Sequence, residues 1–205
     1  MAEPTSFLCG ALRLEARLDG PDDAPRAAVI CHPHPLYGGN MDNNVVDAIE
    51  HACRAAECRT LRFNFRGVGA SEGGFGDFTG ECDDARAALA WISEHTAGVP
   101  VVLAGYSFGA LVALTVGADA AAVDRIVAVA PPLASAPKVP FAGAKLTLVV
   151  AGDADAYCPA AALAHTGEML GARGVVRVIT DGDHFLVGRE REIDRAVTTF
   201  FSWAA

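Results

Sequence analysis

The sequence predicts an α/β protein in which helices cover both faces of a mostly parallel, doubly wound sheet. Three observations predict this fold class: β-rich apolar runs recur along the chain, helical patterns separate most of them, and no internal repeat indicates a solenoid or propeller. The 205 residues are 52% hydrophobic and 20% charged, which excludes a disordered chain and allows a sizeable core. We expect residues 1–205 to form one domain.

The apolar runs predict the strands of the sheet. Most are continuously apolar rather than alternating, as expected of strands that are buried on both faces. The predicted parallel strands cover residues 27–31, 60–65, 101–104, 125–130, 146–151 and 175–180. An earlier segment, residues 11–18, alternates apolar and polar residues and therefore predicts a half-exposed antiparallel strand at the edge of the sheet.

Helical patterns fill most of the gaps between these runs. Apolar residues recur at spacings of three and four, with Asp or Pro near several starts and Gly at or just after two of the ends. The predicted helices cover residues 43–56, 82–94, 107–117, 159–170 and 190–203. In such a sheet, ligands bind beyond the carboxyl ends of the strands, so the residues that follow each strand are the candidates for chemistry.

Charge and composition exclude several kinds of partner. The formal net charge is −9 and Lys and Arg do not cluster, which argues against nucleic acid or an anionic membrane surface. No signal-peptide pattern opens the sequence, and no run approaches the ~18 apolar residues of a spanning helix. The six cysteines form no CxxC pair and are expected to be reduced core residues. We therefore expect a cytoplasmic protein and leave its oligomeric state open.

The most specific motif lies between the strand at 101–104 and the next helix. Gly105-Tyr106-Ser107-Phe108-Gly109 matches G-x-S-x-G, in which a sharp strand-to-helix turn exposes a nucleophilic serine. The turn forces the serine into a strained backbone conformation, and the two glycines allow neighbouring chain to approach without a Cβ clash. A small-residue turn at a helix N-terminus is the alternative interpretation. Ser107 is the predicted nucleophile.

A serine hydroxyl needs an adjacent base, and a carboxylate must orient that base. Among the six histidines, His184 follows the last predicted strand in a short loop, from which its ring can reach Ser107. The loop after residue 151 offers two carboxylates. We favour Asp155, at the far reach of the loop, as the acid, whereas Asp153 is expected to hold the loop by accepting backbone N–H groups.

The chain resembles the α/β-hydrolase family at these residues. Ser107, Asp155 and His184 follow the serine–acid–histidine order of that family, and R-G-V-G-A-S at residues 66–71 is similar to its R-G-x-G-x-S loop. The resemblance runs from about residue 27 to residue 203. It is strongest to small bacterial hydrolases without a cap that are akin to dienelactone hydrolases, several of which carry a stretch like the His-Pro…Gly-Gly…Met…Asn of residues 32–43.

The resemblance also implies an oxyanion hole in the loop after residue 31. Its two prolines have no N–H, so the donor is His34 or Leu36, and alignment of His32-Pro33 with the His-Gly of the family favours His34. The second donor is the N–H of Phe108, which follows the nucleophile. His32 and His34 are alternatively the start of a metal site, but no third ligand lies at motif spacing, and we expect neither a metal nor another cofactor.

The substrate is expected to meet an open, apolar site. Residues 131–140 are too short and proline-rich for the helical cap of larger relatives. We expect five apolar side chains to form a rim that holds the acyl or alcohol group. They are Leu36, Tyr37, Phe75, Phe78 and Phe185. The glycines of residues 71–80 are expected to make that loop mobile; alternatively, its two phenylalanines simply pack beneath it.

These features predict a serine hydrolase that cleaves small carboxylic esters through an acyl-enzyme, with a small-molecule ester as its partner. Because fold does not fix substrate, thioesters, lactones and small peptides remain alternatives, as does acyl transfer to a nucleophile other than water. A non-catalytic scaffold with the same fold is a further alternative. The presence of the serine, acid and histidine motifs together argues against that scaffold.

Overall fold

The computed structural model describes residues 2–135 and 145–203, which include a single eight-stranded sheet. The strands are Glu3–Cys9 (β1), Leu12–Asp19 (β2), Arg26–Cys31 (β3), Cys58–Phe63 (β4), Val101–Tyr106 (β5), Val123–Val129 (β6), Leu146–Gly152 (β7) and Gly174–Ile179 (β8). They pair in the order β1-β2-β4-β3-β5-β6-β7-β8. All pairs from β4 to β8 are parallel, whereas β1 and β2 are antiparallel to their neighbours.

Helices cover both faces of this sheet, which confirms the predicted fold class. The helices are Asn44–Ala55 (α1), Thr79–His95 (α2), Phe108–Asp119 (α3), Ala160–Leu170 (α4) and Glu190–Phe201 (α5), with short 3-10 turns at Pro35–Tyr37 and Gly171–Arg173. One apolar core lies beneath α2, α3 and α4. The other lies beneath α1 and α5.

The parallel strands lack an alternating pattern because both of their faces are apolar cores. In β3, Val29 belongs to the core beneath α2, α3 and α4, while Ala28 and Ile30 on either side belong to the core beneath α1 and α5. A side chain on either face of a central strand is therefore removed from water. Continuous apolar runs are the expected result of this burial.

The sequence did not predict β1. The antiparallel strand predicted at residues 11–18 is present as β2, but its predicted position at the edge of the sheet is wrong. β2 lies inside the sheet because it pairs with β4 on one side and with β1 on the other. A tight turn with Gly10 at φ +58° joins β1 to β2. Phe7 alone is fully buried in β1, and a strand with one buried residue has no apolar period to detect.

The remaining features of the fold concern its helices, its cysteines and one connection. Within the described ranges, none of the helices has the length and apolar character that a membrane crossing requires. All six cysteines are free, and five of them are buried. Residues 136–144, which include part of the predicted cap-less connection at 131–140, lie outside the described residues.

Candidate active site

Ser107 lies at the turn between β5 and α3, with the backbone angles φ +53° and ψ −116°. Its N–H donates to the carbonyl of Val129 at 2.9 Å, so the end of β6 holds the turn. A Cβ at Gly105 would collide with the carbonyl of Gly109, and a Cβ at Gly109 would collide with the carbonyl of Cys31. Both glycines are therefore required sterically, and the serine occupies a left-handed conformation that costs ~1–3 kcal/mol.

A continuous chain of hydrogen bonds runs from this serine to a buried carboxylate. Ser107 Oγ lies 2.9 Å from His184 Nε2, and His184 Nδ1 lies 2.9 Å from Asp155 Oδ2 and 3.1 Å from Asp155 Oδ1. Asp155 is only 3% exposed. Its Oδ1 also accepts the backbone N–H of Tyr157 at 2.8 Å and of Cys158 at 3.1 Å, so the carboxylate is held from two directions.

The other nearby carboxylates bond backbone rather than the imidazole. Asp153 Oδ1 accepts the N–H of Asp181 at 2.8 Å. This bond ties the loop between β7 and α4, residues 153–159 (the acid loop), to the loop between β8 and α5, residues 180–189 (the histidine loop). The two loops also touch at their glycines, since a Cβ at Gly152 would collide with the carbonyl of Gly182. Asp183 Oδ1 accepts two N–H groups within the histidine loop, those of residues 185 and 186, at 3.0 Å each.

Two tyrosines that the sequence analysis did not single out lie against His184. The hydroxyl of Tyr106 donates to the carbonyl of His184 at 3.0 Å. Burial raises the pKa of Tyr106 to about 12, and the nearby charges of Asp155 and Asp183 act in the same direction. The ring of Tyr157 lies 4.6 Å from the imidazole between centroids. Sequence position offered a signal for both, because Tyr106 precedes the nucleophile and Tyr157 follows the acid by two residues.

The two candidate N–H donors lie in the loop between β3 and α1, residues 32–43, here called the oxyanion loop, and they differ in whether an acceptor already engages them. The N–H of Leu36 donates to His34 Nδ1 at 3.2 Å and is therefore already engaged. Burial lowers the pKa of His34, which favours the neutral ring that this bond requires. The N–H groups of His34 and Phe108 have no acceptor among the residues that the structure describes, and Phe108 begins α3. These two groups remain available to an oxyanion.

His32 is committed to the protein interior. It is fully buried, its Nδ1 lies 2.6 Å from the carbonyl of Pro33, and its Nε2 accepts the N–H of Phe65 at 3.0 Å. Burial lowers its pKa to about 4. With both nitrogens engaged, the ring has no lone pair for a metal. In the part of the chain that the structure describes, no three His, Cys, Asp or Glu side chains are placed to share an ion.

The five residues predicted as an apolar rim fall into two groups. Phe75 and Phe78 are half-buried: the first stacks on the ring of His34 at 5.0 Å, and the second meets the ring of Phe108 edge-on at 5.6 Å. The other three are exposed to solvent and lie in the oxyanion and histidine loops. They are Leu36 at 66%, Tyr37 at 86% and Phe185 at 62%.

The glycine-rich loop is anchored at several points. The buried carboxylate of Glu81 accepts the N–H of Gly76 at 2.7 Å and of Phe78 at 3.0 Å, and α2 consequently begins earlier than predicted, at Thr79. A Cβ at Gly80 would collide with the guanidinium of Arg66. The structure thus gives Gly76 and Gly80 a steric role, whereas a Cβ at Gly74 would meet nothing within 4 Å. The mobility of the loop stays a prediction.

Arg66 itself is held by a buried partner. Its guanidinium bonds Asp84, with Nη2 at 2.7 Å and Nε at 3.1 Å from Oδ1, and its own backbone N–H donates to Asp84 Oδ2 at 3.0 Å. Asp84 is fully buried. This charge-assisted pair fixes the start of the loop that follows β4, and Phe75 and Phe78 lie farther along the same loop.

Comparisons with known proteins identify the family and the fold of the chain. Residues 24–166 match the family model described as serine aminopeptidase, S33. An α/β serine hydrolase homologue from Coxiella burnetii is 31% identical, with a TM-score of 0.88 and coverage of 96% of both chains. A serine hydrolase without a lid from Xanthomonas campestris is 30% identical, with a TM-score of 0.82 and coverage of 100% of this chain and 97% of its own.

A curated relative matches over a shorter region. An uncharacterized protein of Rickettsia prowazekii is 37% identical over 115 residues, which are 56% of this chain and 48% of the relative. The match therefore spans about half the length of that relative.

Proposed function

Because the chain belongs to the serine aminopeptidase S33 family (Hydrolase_4) of α/β serine hydrolases, we propose that it cleaves small carboxylic esters through an acyl-enzyme formed on Ser107. One observation carries the proposal. Ser107, His184 and Asp155 form an unbroken chain of hydrogen bonds whose shortest separations are 2.9 Å at both steps. This is the geometry in which a base can remove the serine proton while a carboxylate stabilises the resulting imidazolium.

Each group has one task in the proposed reaction. His184 Nε2 accepts the proton of Ser107 as Oγ bonds to the ester carbonyl carbon, and the carbonyl oxygen becomes an oxyanion that accepts the N–H groups of His34 and Phe108. The imidazolium then donates that proton to the leaving alcohol as the ester C–O bond breaks. Water repeats the cycle on the acyl-enzyme and releases the acid. Asp155 orients the ring throughout.

The proposed substrate contacts come from the apolar rim. Phe75 and Phe78 lie on the side of His34 and Phe108, where the acyl group of the intermediate meets the oxyanion donors. Leu36 and Tyr37 extend this surface into solvent, and Phe185 is exposed beside His184. A half-exposed apolar site suits small esters in water and needs no lipid interface for access.

Labelling with a fluorophosphonate tests the nucleophile directly. We expect the wild-type protein to be labelled at Ser107 and to hydrolyse p-nitrophenyl acetate, and Ser107→Ala to lose the label and at least about 10⁴-fold in kcat/KM while keeping its Tm. A variant that retains a tenth of the wild-type rate contradicts the assignment. Absence of label on the folded wild-type protein favours the non-catalytic scaffold.

The same protein distinguishes the alternative reactions. Acetyl thioesters, small lactones and amino-acid p-nitroanilides are compared with p-nitrophenyl acetate by kcat/KM, the anilides because of the aminopeptidase description of the family model. Esters are expected to be the best substrates. Faster turnover of any other class moves the activity to that class, and faster transfer to an added alcohol than to water identifies an acyltransferase.

Two further proposals concern organisation and location. We propose that residues 1–205 form one α/β-hydrolase domain, supported by the single sheet, and expect one cooperative unfolding transition. We propose a cytoplasmic location, supported by six cysteines that are all free. Cell fractionation checks the location.

A further inference from the structure

Large apolar side chains that remain exposed are concentrated around His184 and Ser107. Eight such side chains are found among the described residues, and five of them lie on the oxyanion, acid and histidine loops. The five are Leu36, Tyr37, Tyr157, Phe185 and Val187. Three loops that converge on one serine thus carry five of the eight exposed large apolar side chains, and such a concentration marks a binding surface.

This exposed surface has two separate sides. On the oxyanion side, the ring of Tyr37 lies 4.7 Å from that of His34. On the other side, Tyr157 lies 4.6 Å from the imidazole of His184 with a 51° interplanar angle, and Phe185 lies 5.9 Å away at 78°. Tyr157 is 52% exposed and Phe185 is 62% exposed, so both rings face solvent as well as the imidazole.

The proposed mechanism places the alcohol half of the ester on the His184 side. The leaving alcohol receives its proton from His184 Nε2, so its oxygen must come within hydrogen-bond reach of that atom. Whatever lies beside the imidazole therefore lies beside the alcohol. Beside it are the aromatic rings of Tyr157 and Phe185, which make dispersion contacts with an apolar group and cannot hydrate a charged one.

The charges around these rings disfavour an anionic leaving group. Asp153, Asp181 and Asp183 are exposed carboxylates on the acid and histidine loops. Arg189, which donates to the carbonyl of Asp181, is paired with Glu192 at 3.3 Å. An anionic leaving group, such as the phosphorylated carrier of a thioester, would approach three carboxylates in a protein of net charge −9.

We propose that Tyr157 and Phe185 form an alcohol-binding wall, and that the substrates are esters of compact apolar or aromatic alcohols that carry no negative charge. The inference rests on the proposed function and names the substrate class of that site. It also separates the roles of the exposed residues, because Leu36 and Tyr37 belong to the acyl side.

Two ester series test this wall. In the first, the acyl group is always acetyl and the alcohol is methanol, butanol or benzyl alcohol, whose similar intrinsic reactivities leave binding as the main difference. We measure kcat/KM, which reports the acylation step, and expect a rise of about tenfold or more from methyl to benzyl acetate. In the second, the alcohol is always methanol and the acyl chain lengthens. Acetyl-coenzyme A serves as the anionic comparison and is expected to be a poor substrate.

Variants on the two sides are compared in both series. Tyr157→Ala, Phe185→Ala and the double variant should flatten the alcohol series and leave the acyl series unchanged. Leu36→Ala and Tyr37→Ala should leave the slope of the alcohol series unchanged. Met169→Ala removes an equally exposed apolar side chain on α4 and should change neither series. The rate of fluorophosphonate labelling at Ser107, measured for every variant, shows that the catalytic residues are still in place.

The outcomes separate the inference from the proposed function. If the wild-type protein is labelled but its kcat/KM does not change along the alcohol series, the proposed alcohol-binding wall is wrong. The same follows if the double variant keeps the full rise in kcat/KM from methyl to benzyl acetate. Turnover of acetyl-coenzyme A as fast as that of benzyl acetate overturns the exclusion of negatively charged leaving groups. A folded protein with neither label nor ester hydrolysis overturns the proposed function itself.

Discussion

The acid and histidine loops differ from the rim beside them in how firmly their side chains are held. Asp155 is buried and bonded by the imidazole and two backbone N–H groups, and Gly152 and Gly182 press the two loops together. Tyr37, by contrast, is 86% exposed and is held by ring contact. Chemistry requires geometry fixed to a fraction of an ångström, whereas apolar recognition requires only surface, so the two regions tolerate change very differently.

The largest effect is expected from replacing Asp155 in the acid loop. Asp155→Asn should lower kcat by about 10³–10⁴-fold, because the amide stabilises neither the required imidazole tautomer nor the imidazolium. Asp153→Asn is the matched control two residues away. It should lower Tm by weakening the bond to Asp181 and leave kcat within a few-fold. Measurements of kcat and Tm on both variants distinguish the two carboxylates. A large loss of kcat in Asp153→Asn with little change in Asp155→Asn would move the acid role to Asp153.

The buried His32 beneath the oxyanion loop predicts a pH effect on stability. Its pKa is lowered to about 4 in the folded protein, against 6.5 for the free side chain, so the unfolded chain binds the proton more readily between these values. Stability from this group is complete above pH 6.5 and falls as the pH drops towards 4, by about 2 kcal/mol at pH 5.

Urea unfolding at pH 7 and pH 5 measures this effect. His32→Gln should reduce the difference between the two pH values, whereas the exposed His165→Gln should not. Equal pH dependence in the two variants contradicts the prediction.

Tyr106 tests whether the firm positioning of the histidine loop matters for catalysis, because its hydroxyl bonds the backbone of His184 and is not a proposed substrate contact. Tyr106→Phe leaves the carbonyl of His184 without its donor and should lower kcat about tenfold and shift the acidic limb of the pH profile, with little change in KM. Thr96→Val removes another buried hydroxyl that donates to a carbonyl, that of Ile92, in α2. It should lose comparable stability with kcat unchanged. Equal kcat losses in both variants would assign Tyr106 a general structural role.

The smallest effect is expected at the rim. Replacing Phe75 and Phe78 together by Ala should raise KM for octanoyl esters about threefold more than for acetyl esters, because the acyl surface beside His34 is lost. Since both rings are half-buried against Phe108, a fall of a few degrees in Tm accompanies this change. A large loss of stability with unchanged chain-length preference would show that the rings serve only to pack the loop.

The sequence predicts those parts of the fold that local patterns encode. The parallel strands follow from continuous apolar runs, and the five helices follow from apolar residues at spacings of three and four. The strand-to-helix turn at Ser107 follows from two glycines that sterics require. β1 escaped because a single buried residue, Phe7, gives no period. Contacts between distant residues could not be predicted for another reason. The hydrogen bond from Tyr106 to His184 spans 78 positions, and no local sequence pattern at either residue indicates its partner.

The placement of the tyrosines has a spectroscopic consequence. The chain contains three, and each lies in the catalytic region: Tyr37 beside His34, Tyr106 bonded to His184, and Tyr157 against the same imidazole. Protein grown on 3-fluorotyrosine will therefore give three fluorine resonances that all originate there, one from a buried ring and two from exposed rings. The proposed acylation of Ser107 and the proposed binding of either half of an ester can each be followed through these resonances in the intact protein.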